Sequence, residues 1–187
     1  MKKIDLMNLE EFLCGIAYAT AYPSIHIWVM SAVNSRMMST VNLLTNIAIT
    51  IVAILWNKYG SKLFKYYKVF LILETILEAI VCIVSVYTGN ALAYYISDSI
   101  IYSLITRHII AGGNRIRANR YKTPESRSKY DNNAQMLSSI AGIIGPSLAF
   151  ILNPSISTSI IIGTVSCTLD NAFMWVFHSE CRKGNTL

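Results

Sequence analysis

The sequence predicts an all-α integral membrane protein of six transmembrane helices with both termini in the cytoplasm, and three observations predict it. Six apolar stretches of about twenty residues follow one another, and about twenty is what a helix needs to cross a bilayer core. With 53% apolar residues, 14% charged residues and a mean hydropathy of +0.45, the chain is too apolar for an ordinary soluble domain. All but two of its 16 Lys and Arg residues fall in every second gap between the apolar stretches. Positively charged loops stay in the cytoplasm, so the sorting sets the orientation.

The segments, in order, are Phe12 to Val33, Met37 to Trp56, Tyr66 to Tyr87, Ala91 to Ile110, Asn133 to Leu152 and Ser155 to Phe177. Lys2 and Lys3 precede the first, and Lys58, Lys62, Lys65 and Lys68 group between the second and third, Lys68 on the first turn of the third. Arg115, Arg117, Arg120, Lys122, Arg127 and Lys129 lie between the fourth and fifth, and Arg182 and Lys183 follow the sixth. Asn34-Ser35-Arg36, Thr88-Gly89-Asn90 and Asn153-Pro154 are turn-type residues that make successive helices antiparallel neighbours. The longest connection, from about Ala111 to Asn132, is expected to carry helical extensions lying along the membrane surface with snorkelling arginines. Glu10 and Glu11 abut the first apolar run, and that run is long enough to span, so it is expected to stay as a helix rather than be removed as a signal peptide. No soluble domain remains, and the apolar runs lack the alternation of a transmembrane barrel.

The formal net charge of +6 is confined to short loops, which points to topology and anionic lipid headgroups rather than nucleic acid. Cys14, Cys82 and Cys167 lie in apolar stretches and Cys181 in the C-terminal tail, a placement that indicates neither a disulfide framework nor a zinc site. His26, His108 and His178 have no metal-ligand spacing, and Gly112-Gly113 lacks a following Gly-Lys-Ser/Thr. No enzyme activity, cofactor or ATP-driven step is expected.

Polar rows on the helices supply the candidate site. Tyr18, Tyr22 and His26 are four apart on the first helix beside Pro23, which is expected to bend it; Asn42, Asn46 and Thr50 form a second row with Ser39. Glu74 and Glu78 stack with Cys82 and Ser85 on the third helix, and Asp98 and Tyr102 share a face with Thr106 on the fourth. The fifth shows small residues instead, Ala134, Ser138, Gly142, Gly145 and Ala149, which let two helices approach closely. Asn, Ser and Thr rows also glue membrane helices without any transport role, and His26 reads equally as a buried, neutral, hydrogen-bonded ring. The acids Glu74, Glu78, Asp98 and Asp170 each cost roughly 2.5 to 3.5 kcal/mol at mid-depth. They are therefore protonated, paired or facing water, unless Glu74 and Asp170 reach the interface, and Arg107 is the one opposing charge within the segments.

Between helices two and three the chain reads Ala53-Ile54-Leu55-Trp56-Asn57-Lys58-Tyr59-Gly60-Ser61-Lys62. In helix five it reads Ala141-Gly142-Ile143-Ile144-Gly145-Pro146-Ser147-Leu148-Ala149-Phe150. The first resembles the cytoplasmic loop motif of the major facilitator superfamily, with Lys58, Gly60 and Lys62 kept and Asn57 in place of the acid. The second resembles the helix-five antiporter motif of the same family, with Gly142, Gly145, Pro146 and Ala149 as the packing positions, and Arg107 is similar to an intramembrane arginine of proton-coupled members. The resemblance covers the N-terminal six-helix half of that fold. It implies a secondary transporter that exports small organic or cationic compounds in exchange for protons, with two copies forming a homodimer at the plasma membrane. Asp98 and Glu78 would take protons, Arg107 would modulate them, and Tyr18, Tyr22, His26 and Asn46 would contact substrate. The competing expectation is a non-transporting membrane partner, such as an immunity, regulatory or assembly protein, or one half of a heterodimer.

Overall fold

The computed structural model of the protein describes residues 5–184, and among them the secondary structure is helical throughout. The helices are α1 (Leu6–Ala32), α2 (Ser35–Lys65), α3 (Tyr67–Thr88), α4 (Ala91–Ile101), α5 (Arg107–Arg120), α6 (Pro124–Leu152) and α7 (Ile156–Gly184). A π-helical segment, Tyr102–Thr106, joins α4 to α5 without a break, so these form one continuous fourth helix. Five helices, α1, α2, α3, α6 and α7, are individually long and apolar enough to cross a membrane. The fourth crossing is completed only by counting its three pieces together.

Each boundary has a local cause. Asp5, Asn34, Asn90 and Thr123 cap α1, α2, α4 and α6 by accepting the backbone N–H of Met7, Met37, Ala93 and Ser126. Pro124 opens α6 at a position where its missing N–H costs nothing. Gly89 ends α3 at φ +62° and Asn153 ends α6 at φ 41°, the left-handed geometry that turns a chain back after a helix.

Several expected boundaries shift. Ser35 and Arg36 belong to the first turn of α2, and Asn57 to Lys62 are helical, so the loop motif is the end of α2. At 31 residues α2 rises about 46 Å against a core of about 30 Å, so its last turns project beyond the apolar layer. The expected long connection after helix four shrinks to residues 121–123, because α5 and α6 extend the crossing helices themselves. Pro146 does not break α6, which runs through it, and α1 likewise continues through Pro23. Lys2 and Lys3 lie outside the described residues, and the side chains of Arg182 and Lys183 are not described.

Named contacts fix the topology. α1 and α6 run parallel, with Gly15 facing Ala141 and Ala19 facing Gly145. α2 runs parallel to the fourth helix, with Tyr95 bonded to Asn42, Trp56 to His108 and Arg115 to Ser61. α7 lies antiparallel to α1, where Ser166 bonds the Cys14 carbonyl, and to α3, where Asn171 bonds Glu74. Helix one therefore packs on helices five and six as helix four packs on helices two and three.

The buried core cluster lies at the end where α1 starts, α7 ends and most of the basic residues gather, hereafter the basic end. Met7, Tyr67, Leu71, Ile109, Ile116, Tyr130, Met174 and Phe177 form one buried cluster there, drawn from α1, α3, α5, α6 and α7. Gly112 and Gly113 sit inside it: a Cβ at Gly112 would stand 2.2 Å from the Tyr67 ring and one at Gly113 2.7 Å from Met174. Large apolar side chains are exposed on every long helix, the surface of a bundle solvated by lipid tails rather than by water.

Candidate functional site

The exposed surface has two unlike sides. Along α3, every exposed residue from Val69 to Val86 is Val, Ile or Leu. Along α7 the exposed residues are apolar apart from Thr158 and Thr168 until Glu180, and Thr168 returns its hydroxyl to its own helix. The other side, on the adjoining α1, α2, π segment and α6, interleaves exposed apolar residues such as Leu13, Leu43, Ile47 and Ile143 with Tyr18, Tyr22 and His26; Asn42 and Asn46; Tyr102; and Gln135 and Ser138, while Thr50 and Ser139 return their hydroxyls to their own helices. A hydrocarbon environment penalises such groups, so this second side fits water or a partner better than lipid.

The row of three on α1 is a stacked ladder. Tyr18 and Tyr22 stack with centroids 5.5 Å apart, and Tyr22 and His26 with centroids 5.4 Å apart. A spacing of four residues places each ring one turn above the last. All three are exposed, so His26 is not the buried structural ring that its apolar helix also allowed. Asp98 of α4 interacts electrostatically with Tyr18, with Glu78 of α3 and with Tyr94, which brings the two expected proton sites and the ladder into one region. Asn46 is exposed on α2, and Asn42 of the same row reaches across to the fourth helix, accepting from Tyr95 at 2.8 Å.

The π segment decides where the fourth helix points its next residues. A 3.6-residue period puts Thr106 below Tyr102 and Asp98 on one face. The wider π turn rotates everything after it by about one residue position, roughly 100°. Thr106 consequently turns to α3 and donates a short hydrogen bond to Glu74, and Arg107 comes under Tyr102. The guanidinium donates to the Tyr102 hydroxyl and stacks 4.5 Å from its ring centroid. Among the described residues the ion pairs are Arg117–Glu11, Arg120–Asp5 and Arg120–Glu180, so Arg107 is held by a phenol rather than by a carboxylate.

Two acids lie deeper than their sequence context suggests. Glu74 is 3% exposed, and its second oxygen accepts from Asn171 at 2.8 Å. Asn171 also donates to Thr75 at 3.1 Å, tying α7 to α3. Glu10 is 2% exposed and faces Asp170 across the α1–α7 seam. Sequence reasoning took Glu10 as a boundary residue because it precedes the apolar run, and gave Asn171 no role. The signal that could have found them was helical phase: Glu10 and Cys14 share one face of α1, while Cys167 and Asn171 share one face of α7.

At the basic end a polar girdle surrounds the apolar cluster. Glu11 accepts from Arg117 and from Tyr130, and Tyr121 donates to Asp5. Burial, and then the Asp5 carboxylate, push the Tyr121 phenol above its usual range. The α2 motif lines the same end: Gly60 leaves room for Trp56 and for the Arg115 guanidinium, which would stand 3.3 and 3.9 Å from an added Cβ, while Asn57, Lys58 and Lys62 are exposed. Of the helix-five positions, Gly145 makes the close approach, with an added Cβ 2.4 Å from Ala19, whereas Gly142 and Pro146 are exposed. The close seam on α6 is thus Ala141 and Gly145, not the row through Ser138 and Gly142 that the sequence suggests.

Between the girdle and the mid-depth acids, Trp56 Nε1 donates to His108 Nδ1 at 2.7 Å, and Phe70 stacks on the same imidazole at 4.2 Å. Replacing Trp56 with Phe keeps the ring packing but leaves a buried nitrogen without its donor. The expected loss is about 1 to 3 kcal/mol of stability, read as a lower unfolding midpoint in lipid-supplemented detergent. Compared with family models, curated proteins and solved structures, the chain matches none.

Proposed function

We propose that the chain is a secondary active transporter that works as a homodimer of six-helix halves and exports small organic or cationic compounds in exchange for protons. The observation that carries this reading is that exposed polar and aromatic groups are concentrated on α1, α2, the π segment and α6, among apolar ones, whereas α3 and α7 expose almost only apolar residues. A lone bundle would present the polar side to lipid. With α1 starting and α7 ending at the same end, a second copy inserted the same way can be brought face to face by a twofold axis normal to the membrane, enclosing the polar sides in one aqueous cavity. The gathering of positive charge at the basic end supports a cytoplasmic orientation of that end at the cell membrane.

Within the cavity each group has a distinct role. The Tyr18–Tyr22–His26 ladder offers flat π faces to an organic cation, and Asp98 offers the charge that either a proton or that cation neutralises. Glu78 stands behind Asp98 as the second proton acceptor, and Arg107, held on Tyr102, is the positive charge within the spans assigned the modulating role. The tightly packed basic end and its girdle form the closed side of an alternating-access cycle in which one protomer rocks against the other.

Native mass in lipid-retaining detergent tests the assembly. Two chains per particle are expected, and the polar-side residue Asn46 changed to Trp should shift the population to one. A persistent single chain, or a particle containing a different protein, would replace this reading with that of a non-transporting membrane partner.

A further inference from the structure

The acids of the bundle are not scattered. Asp98 on α4 and Glu78 on α3 interact, Glu78 interacts with Glu74 one turn nearer the basic end, and Glu74 interacts with Asp170 on α7. Asp170 in turn reaches Glu10 on α1. The file descends steadily, since Glu74 lies two turns into α3 and Glu10 just over one turn into α1. It crosses four helices, starting beside the aromatic ladder at Asp98 and Glu78 and ending on the α1–α7 seam.

Its last member is the least ordinary. The carboxyls of Glu10 and Asp170 lie within hydrogen-bond reach of each other. Glu10 is 2% exposed, and its Oε1 is buried with no hydrogen-bond donor facing it. A second buried acceptor without a donor, Asn171 Oδ1, belongs to the neighbouring residue on α7. Two bare carboxylates held this close, Glu10 buried and Asp170 partly so, repel strongly, whereas one proton between them supplies the missing donor. The other groups around the pair do not supply it. On α1, Glu11 is engaged by Arg117 of α5 and Tyr130 of α6, and Cys14 carries only a weak thiol donor. On α3, Tyr67 gives its hydroxyl to the Ile109 carbonyl, and Glu74 accepts from Thr106 and Asn171.

We propose that Glu10 and Asp170 form a second, separate proton-holding site: a carboxyl pair sharing one proton, at the basic-end terminus of the file that begins at Asp98. Transfer along the file breaks one carboxyl O–H bond as another forms on the next carboxylate, so a proton accepted at Asp98 leaves from Glu10 with no change of oxidation state. The existence of the pair stands on its geometry; its use in coupling rests on the transporter reading above.

Infrared difference spectroscopy of the purified protein in lipid, with Glu10→Gln and Asp170→Asn as separate variants, tests the pair. At neutral pH the wild type should show a protonated-carboxyl C=O band, shifted by deuterium exchange, that is missing from both single variants because one proton serves both groups. Loss of a band in only one variant, or in neither, overturns the proposal. A band that disappears when sodium replaces choline in the buffer also overturns it, in favour of a metal cation. If one variant does not fold, Glu10→Met or Asp170→Leu takes its place, removing the carboxyl without adding a buried polar group, and the same comparison of the two positions decides. The two readings separate cleanly: a shared band in a protein that moves no substrate leaves the pair standing without the transport function, and gradient-driven flux without the shared band does the reverse.

Discussion

Asp98→Asn should reduce gradient-driven flux in proteoliposomes to the leak of protein-free vesicles, while the helical signal and the native mass stay those of the wild type. Asn keeps the size and hydrogen-bonding shape of the side chain but cannot gain or lose a proton at any working pH. Asp98 and Glu78 both interact with the ladder through Tyr18, Asp98 the more strongly, and with each other, so Asp98 is where substrate and proton would compete. It is half-buried on an intact stretch of α4, one turn before the π segment, and removing a charge from an apolar helix does not destabilise it. Loss of flux with folding retained therefore reports chemistry rather than structure. Unchanged flux would take Asp98 out of the pathway and leave the polar side as an assembly surface only.

Gly145→Leu should unfold or dissociate the first and fifth crossing helices, whereas Gly142→Ala, three residues away in the same motif, should leave stability unchanged or slightly raised. A Cβ at Gly145 would lie 2.4 Å from the Ala19 Cβ and 2.9 Å from the Ala19 backbone carbon. Backbone cannot rotate out of the way as a side chain can, so α1 and α6 must separate along the seam that also holds Gly15 against Ala141. Overpacking of this kind costs about 1 to 3 kcal/mol at one site, and a Leu against backbone falls at or beyond the upper end. At Gly142 nothing lies within 4 Å, so Ala there gains up to about 1 kcal/mol of helix preference. Unfolding midpoints in denaturing detergent measure both; equal midpoints for the Gly145 variant and the wild type would show that α1 and α6 do not pack this closely.

The contrast between these two glycines shows how far the sequence could be read. Both stand in a Gly-x-x-Gly row, and spacing alone makes them equivalent partners for a neighbouring helix. Only the phase of α6 against α1, set by all the contacts along the pair, turns Gly145 inward and Gly142 outward. The fourth helix gives a second instance. Its polar residues were legible, but a π turn has no residue signature, so nothing in the row Asp98, Tyr102, Thr106 announced that Thr106 would serve Glu74 and that Arg107 would sit on Tyr102.

What the sequence determined by itself was the class of structure: helices throughout, apolar enough to cross a bilayer, turning at Asn34, Gly89, Asn90 and Asn153, with the basic residues gathered at one end. Those properties are local, because a span needs only its own apolar length and a cap only its own side chain. Tertiary structure decided which polar groups meet. It buried Glu10 against Asp170 and Glu74 against Asn171, residues 97 positions apart in the second case, and left Tyr18, Tyr22 and His26 exposed. Such pairings depend on the rotation and depth of each helix relative to its neighbours. A rotation of a single residue about the helix axis is enough to exchange a buried acid for an exposed one, and no window of sequence records it.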